Sequence, residues 1–292
     1  MLTIDEIEEL EFGLVRSLQG GRVEYMQDDI IRWNPYLHGI VGLYNGNMWV
    51  PIMPAENIYF ENSQYDINGS LLEPSTNYDV FARFYDYETF TLELSPWSSD
   101  TVRAVEPSRF EGVLVYDNTT VSGKQMRYIA TVRMDGSVNF ADSLTQRFVV
   151  NWDNPIYKSL HSYNSSSASW NTGYGDTTWA EFRDGTSQVR GEFLSIHPSV
   201  GGYLGRAQTY VDGGSHWPWV GLGCNSTSSP SGGKGSCHRA YDTNLKSISC
   251  MSYFVPVIGY NYITIVVRAQ SSFDASCYGA SDLTRAVAQI LV

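Results

Sequence analysis

The chain has 292 residues, 42% apolar and 17% charged, and its 19 basic and 31 acidic side chains give a formal net charge of −12. That balance excludes a disordered chain and leaves enough apolar material for real cores. The negative field and the absence of a basic cluster exclude nucleic acid as a partner, and no run approaches the roughly 20 apolar residues of a membrane helix.

Aromatic residues make up 14% of the chain, including 20 Tyr, and Gly, Ser, Thr and Asn are abundant. This texture predicts an all-β fold of twisted sheets joined by tight turns. Residues 3–18 are the exception and read as a helix. Thr3 and Glu6 form a capping box, and acids crowd the first turns where the helix dipole favours them. Ile7, Leu10, Leu14 and Leu18 fall on one stripe, which makes them the candidate docking residues. The stripe could lie on its own sheet, on copies of itself or on a larger assembly. Gly20-Gly21 stops the helix. The opening residues carry five acids before Phe12 and lack a basic region with a long apolar core, so no secretory signal is expected and synthesis in a cytoplasm is.

From about residue 36 short strands follow. Val41 to Ile52 reads as a hairpin about Asn45-Gly46. Tyr78 to Ser95 reads as two strands about Asp86, with Val80, Ala82 and Phe84 on one face. In "MRYIATVRMDG" Tyr128, Ala130, Val132 and Met134 alternate before Asp135-Gly136 ends the strand. A second unit is expected to begin near Ala141 with "RFVVNW", followed by an irregular connection. Trp170, Trp179, Phe182 and Phe193 punctuate further strands, and residues 259–270 alternate Tyr262, Thr264, Val266 and Arg268 against Ile263, Ile265 and Val267. Residues 224–238 read as a long surface loop. The predicted division is 1–35 (helical docking segment), 36–140 (first β domain) and 141–292 (second β-sandwich domain).

Chemical motifs are sparse. Cys224, Cys237, Cys250 and Cys277 show no CxxC spacing, and neither a metal site nor a cofactor is expected. Asp212, Ser215 and His216 are too close in sequence to converge as a triad, and Cys237-His238 would point to opposite faces of a strand. Sequons begin at Asn68, Asn118, Asn164 and Asn225 and read as chance products of a Ser/Thr/Asn-rich chain. No carboxylate pair is nominated for glycoside hydrolysis, so no catalytic residue is assigned and an enzyme is not expected. Trp217 and Trp219 in "SHWPWVG" share one face of an extended stretch, as core or as a platform for sugar rings.

Several strings carry a family resemblance: "ADSLTQRFVVNWDNPIYKSL" (141–160), the Trp/Thr-rich "SASWNTGYGDTTWAEFRDGTSQVRGEF" that follows, "GYNYITIVVRAQ" (259–270) and "STNYDVFARFYDYETFTLELS" (75–95). Together they resemble domains recurrent in tailed-bacteriophage virion proteins, over roughly residues 70–270. The resemblance implies jelly-roll-like β-sandwiches, a homotrimer, and display on a head or tail as a capsid decoration protein, head fibre or short tail appendage in contact with other virion proteins. It brings no catalytic residues, and the N-terminal helix and the cysteine-bearing loop fall outside the shared pattern. The alternative is a receptor-binding tail fibre or tailspike protein that engages a host surface glycan through Trp217 and Trp219. Either is assembled in the host cytoplasm and located in the virion.

Overall fold

The structure, a computed structural model, describes residues 13–163, 169–171, 178–184, 187–196, 202–212, 219–231, 246–268, 276–278 and 285–292. The chain is all-β, as its turn chemistry predicts. It divides into two compact units. The first takes the described residues through Asp142 together with 148–156 and Val292, and the second takes 143–147 and the described residues from Tyr157 to Leu291.

In the first unit a wide antiparallel sheet runs, in spatial order, Val102–Arg103, Phe90–Ser99, Asn77–Phe84, Met126–Arg133, Val113–Val115 and Ser108–Phe110, and Val149–Asn151 also pairs with Met126–Arg133. A smaller sheet of Gly21–Gln27, Ile30–Pro35 and Ile58–Glu61 and a hairpin of Val41–Tyr44 with Trp49–Ile52 accompany it. One core gathers Ile31, Trp33, Phe60, Val80, Leu94 and Val132, and Trp33 meets Phe90 edge-on at 5.4 Å. The strand Asn77–Phe84 is covered on both faces, since Phe81 meets Tyr116 edge-on and Tyr128 at a tilt on the side away from Val80. A register shift between Tyr128 and Ala130 breaks the expected alternation. Ala130, Val132 and Met134 therefore join the core, while Tyr128 turns toward Phe81 and Trp152.

The turns follow their sequence signals. Asn45 Oδ1 accepts the Asn47 and Met48 amides at 2.9 and 3.0 Å, and Gly46 has φ +107°. Asp86 accepts the Glu88 and Thr89 amides, and Asp135 those of Ser137 and Asn139.

The predicted extent of the N-terminal helical segment needs correction. Residues 13–17 are helical, but residues 21–35 contribute the antiparallel strands Gly21–Gln27 and Ile30–Pro35 to the first unit. The physical reason is visible in the burial of Val23, Ile31 and Trp33, whose alternation places them in the core. The expected start of the second unit at 141 also differs from the observed division. Gln146–Arg147 pairs in parallel with Arg190–Ser195 in the second unit, whereas Val149–Asn151 completes the wide sheet of the first.

The second unit is a sandwich. One sheet holds Gln146–Arg147, Arg190–Ser195, Gly259–Arg268 and Ala180–Glu181, with Trp219–Cys224 also on Gly259–Arg268. The other holds Tyr157–Tyr163, Arg285–Leu291, Tyr203–Asp212, Ser276–Tyr278 and Ser169–Asn171, with Lys246–Phe254 also on Tyr203–Asp212. Between them Phe193, Leu222, Ile263 and Ile265 are buried with Leu160, Ala286, Ala288 and Ile290. Phe193 reaches Tyr203 at 6.1 Å and Phe254 at 6.3 Å, joining the two layers through one aromatic cluster.

The motif residues behind the family resemblance hold backbone in place. Asn151 donates to Val23 O and accepts from Val23 N, as a paired strand residue would. Asn154 bonds the carbonyls of Gln19 and Gly21. Gly259 has φ +98°, and the fully buried Asn261 bonds Val257 through both N and O. The loop after Cys224 is partly built onto the sheet: Ser231 bonds Cys224 and Leu222, and Asn225 bonds Asn261. Residues 232–238 of that loop lie outside the described residues.

Candidate functional site

Among the described residues, two clusters of polar side chains are closed and one sheet face is open. In the first unit the side chains of Asp79 and Arg103 are 2% and 8% exposed and meet at 2.7 Å. Thr131 donates to the second Asp79 oxygen, and Arg103 also reaches Tyr128 Oη at 3.2 Å while lying over the Trp97 ring. Burial raises the Asp79 carboxyl, with Arg103, Thr131 and Trp97 pulling it back. Burial lowers Arg103 too, but Tyr128 beside it and the carboxylates of Asp79 and Glu106 outweigh it and hold the guanidinium above its ordinary value. These groups satisfy one another, so the layer is an internal ion pair.

The second closed cluster lies in the second unit. Arg190 holds Glu181 by two bonds of 2.7 and 3.3 Å and sits 3.9 Å from the centre of the Tyr262 ring. Glu192 accepts Gln146 Nε2 at 3.0 Å and the Tyr260 hydroxyl. Both carboxylates are thus engaged by neighbouring side chains.

The sheet face is open. Four adjacent strands of the second unit (Tyr157–Tyr163, Arg285–Leu291, Tyr203–Asp212 and Lys246–Phe254) turn alternate side chains outward. The register sets His161 opposite Val287, Val287 opposite Arg206, and Arg206 opposite Met251. Leu204 lies opposite Tyr253 in the neighbouring row. Tyr157, Leu204, Met251 and Tyr253 are 65%, 55%, 62% and 48% exposed. A shallow groove of about 360 Å³ runs between His161, Leu204, Arg206, Met251, Arg285 and Val287, and none of the residues lining it is acidic. Burial, with Arg285 and Arg147 nearby, lowers the His161 pKa, so its imidazole is neutral at neutral pH. Large side chains left open side by side on one regular face are the usual mark of a contact surface.

The expected site residues fall as follows. Ile7, Leu10 and Trp217 lie outside the described residues; Leu14 is 66% exposed and Leu18 is half-buried. Trp219 begins the strand Trp219–Cys224 and is half-buried. The Arg268 guanidinium lies 5.8 Å from the Trp219 ring and 5.9 Å from that of Trp179. Ser215, His216, Cys237 and His238 lie outside the described residues. Cys224 is a free thiol that burial pushes up to about 12. Among the described residues no cluster of three His, Cys, Asp or Glu is placed to hold a metal, and no helix is long and apolar enough to cross a membrane.

Sequence reasoning missed the open face because two of its strands went unread. "YKSLHSY" was expected to be an irregular connection, and the last strand, Arg285–Leu291, drew no notice. The signal was present in Ala286, Ala288 and Ile290, which alternate with Arg285, Val287 and Gln289 and are buried.

The first unit has concavities of its own. One of about 390 Å³ is lined by Trp33, Pro35, Glu56 and Tyr59. Another of about 180 Å³ brings together Arg16, Arg109 and Arg127. Arg127 is already engaged there, donating to the carbonyls of Arg16, Leu18 and Gly42 and to Asp153.

No protein-family model and no curated protein matches the chain. Among solved structures it is similar to the structure of infectious bursal disease virus Gx strain, with 10% identity and a TM-score of 0.27 over 93% of this chain and 66% of that one. It is also similar to the insecticidal delta-endotoxin Cry8Ea1 from Bacillus thuringiensis, with 9% identity and a TM-score of 0.23 over 93% of this chain and 51% of that one. The chain thus spans under two thirds of the length of each, and both likenesses are to β-rich proteins without assigning a function.

Proposed function

We propose that this chain is a structural protein of a bacteriophage particle, displayed as a decoration protein, head fibre or short tail appendage and assembled as a homotrimer. The observation that carries the reading is the open sheet face of the second unit, where Tyr157, Leu204, Met251 and Tyr253 stand exposed together. Covering each of these side chains is worth about 1–2 kcal/mol, which gives a partner surface a reason to settle there. The sequence strings that resemble phage virion domains support it as well, because Asn151, Asn154, Gly259 and Asn261 serve to hold backbone, as residues common to an architecture should. On this reading the function is mechanical and adhesive, with no catalysis.

Light scattering on the purified protein tests the assembly: a mass of three chains is expected, falling to one chain in Leu204→Glu/Met251→Glu with an unchanged circular dichroism spectrum. Immunogold labelling of purified particles from producing cultures tests the location. Label on particle surfaces is expected. A monomeric wild-type protein absent from particles would overturn the proposal. Glycan binding is the second reading, favoured by the partial exposure of Trp219. It predicts that Trp217→Ala/Trp219→Ala abolishes binding on a glycan array without unfolding the protein.

A further inference from the structure

The open groove of the second unit is basic within an acidic protein. Arg206 and Arg285 line it with His161, no lining residue is acidic, and the chain as a whole carries −12. Its walls also include the apolar Leu204, Met251 and Val287 and the uncharged amides of Gln208 and Gln289. A ligand that fits must therefore be both acidic and apolar. A bare phosphate would satisfy the two guanidinium groups and leave Leu204 and Met251 in water.

The amino-terminal sequence has that chemistry. Asp5, Glu6, Glu8, Glu9 and Glu11 precede any basic residue, the first of which is Arg16, and they interleave with Ile4, Ile7 and Leu10. We propose that the groove receives residues 1–12 of a second copy of the chain, so that copies are tied together by exchange of this segment. The proposal rests on the assembly reading above and names what covers the open face. The dimensions agree. Four strands at about 4.8 Å spacing make a face roughly 15–20 Å across, and twelve residues span about 18 Å as a helix or twice that when extended. Charge complementarity sets the orientation and suppresses association through other, like-charged surfaces.

A charge swap in the full-length protein tests the inference. Arg206→Glu/Arg285→Glu should reduce the trimer to a monomer by light scattering at low salt. Changing Asp5, Glu6, Glu8, Glu9 and Glu11 to Lys should do the same. Combining both sets should restore the trimer, an outcome that a merely destabilised fold would not give. Circular dichroism and the gentler Arg206→Gln/Arg285→Gln variant control for folding. A trimer that persists in both charge-reversed proteins overturns the segment exchange and leaves the assembly reading standing. A monomeric wild type overturns both.

Discussion

Replacing Arg103 by Met strips the partner from a carboxylate that is almost fully enclosed. The Asp79 side chain is 2% exposed, and it is paired with Arg103 Nε at 2.7 Å. Thr131 continues to donate to the other oxygen, so one of two strong contacts survives. Removing one member of a buried ion pair costs about 3–5 kcal/mol. Arg103 also lies over the Trp97 and Tyr128 rings at 4.8 and 5.4 Å, and that packing is lost with it. With a urea slope of about 2 kcal/mol per molar, the midpoint of the transition involving the first unit should fall by about 2 M. Burial raises the Asp79 carboxyl, and without Arg103 the rise is larger. The folded variant then takes up a proton before the unfolded chain does. Its deficit should therefore be greatest at neutral pH and shrink as pH falls toward about 4, the unfolded carboxylate value. Asp79→Leu/Arg103→Met should recover most of the loss, since an apolar pair leaves no orphaned charge. Urea titrations at pH 7, 5.5 and 4.5 decide the matter. A midpoint shift below about 0.3 M, or a deficit independent of pH, would refute the reasoning.

Three further outcomes follow from the same structure. Gly21→Ala should destabilise the first unit by about 1–3 kcal/mol in thermal melts, because a Cβ there would stand 2.0 Å from the Trp33 ring. His161 has a folded pKa below the 6.5 of the free side chain, so its contribution to stability is complete above pH 6.5 and is lost as pH falls through the folded value; His161→Gln should flatten that part of the pH–stability curve. Cys224, pushed by burial from 9.0 up to about 12, should react with a thiol reagent at pH 8 about a thousandfold more slowly in the native protein than after unfolding, as read by peptide mapping.

The all-β character was legible because turn chemistry is local. Asn45-Gly46, Asp86 and Asp135 each reverse the chain through bonds between a side chain and amides two to four residues on, and such bonds are written in adjacent letters. The open face of the second unit was not legible for the opposite reason. Tyr157–Tyr163 mixes Lys, Ser and His with one buried Leu and gives a weak alternation by itself. It becomes a strand by pairing residue for residue with Arg285–Leu291, more than a hundred positions away. Residues 21–35 were grouped with the helical docking segment because strands were read only from about residue 36. Val23, Ile31 and Trp33 marked the change of period.

The route of the chain has a consequence for synthesis. After Asp142 it spends five residues in the second unit, returns to the first for 148–156, and leaves again until Val292, whose backbone pairs with Ile156. A ribosome that has released residue 142 has not yet delivered Asn151, whose side chain substitutes for a neighbouring strand along Val23. The first unit therefore cannot finish folding as an independent nascent domain, and a gene fragment ending at the apparent boundary should yield an aggregating product. Fragments meant to isolate it need to run through residue 156, and even these will lack Val292, which pairs with Ile156.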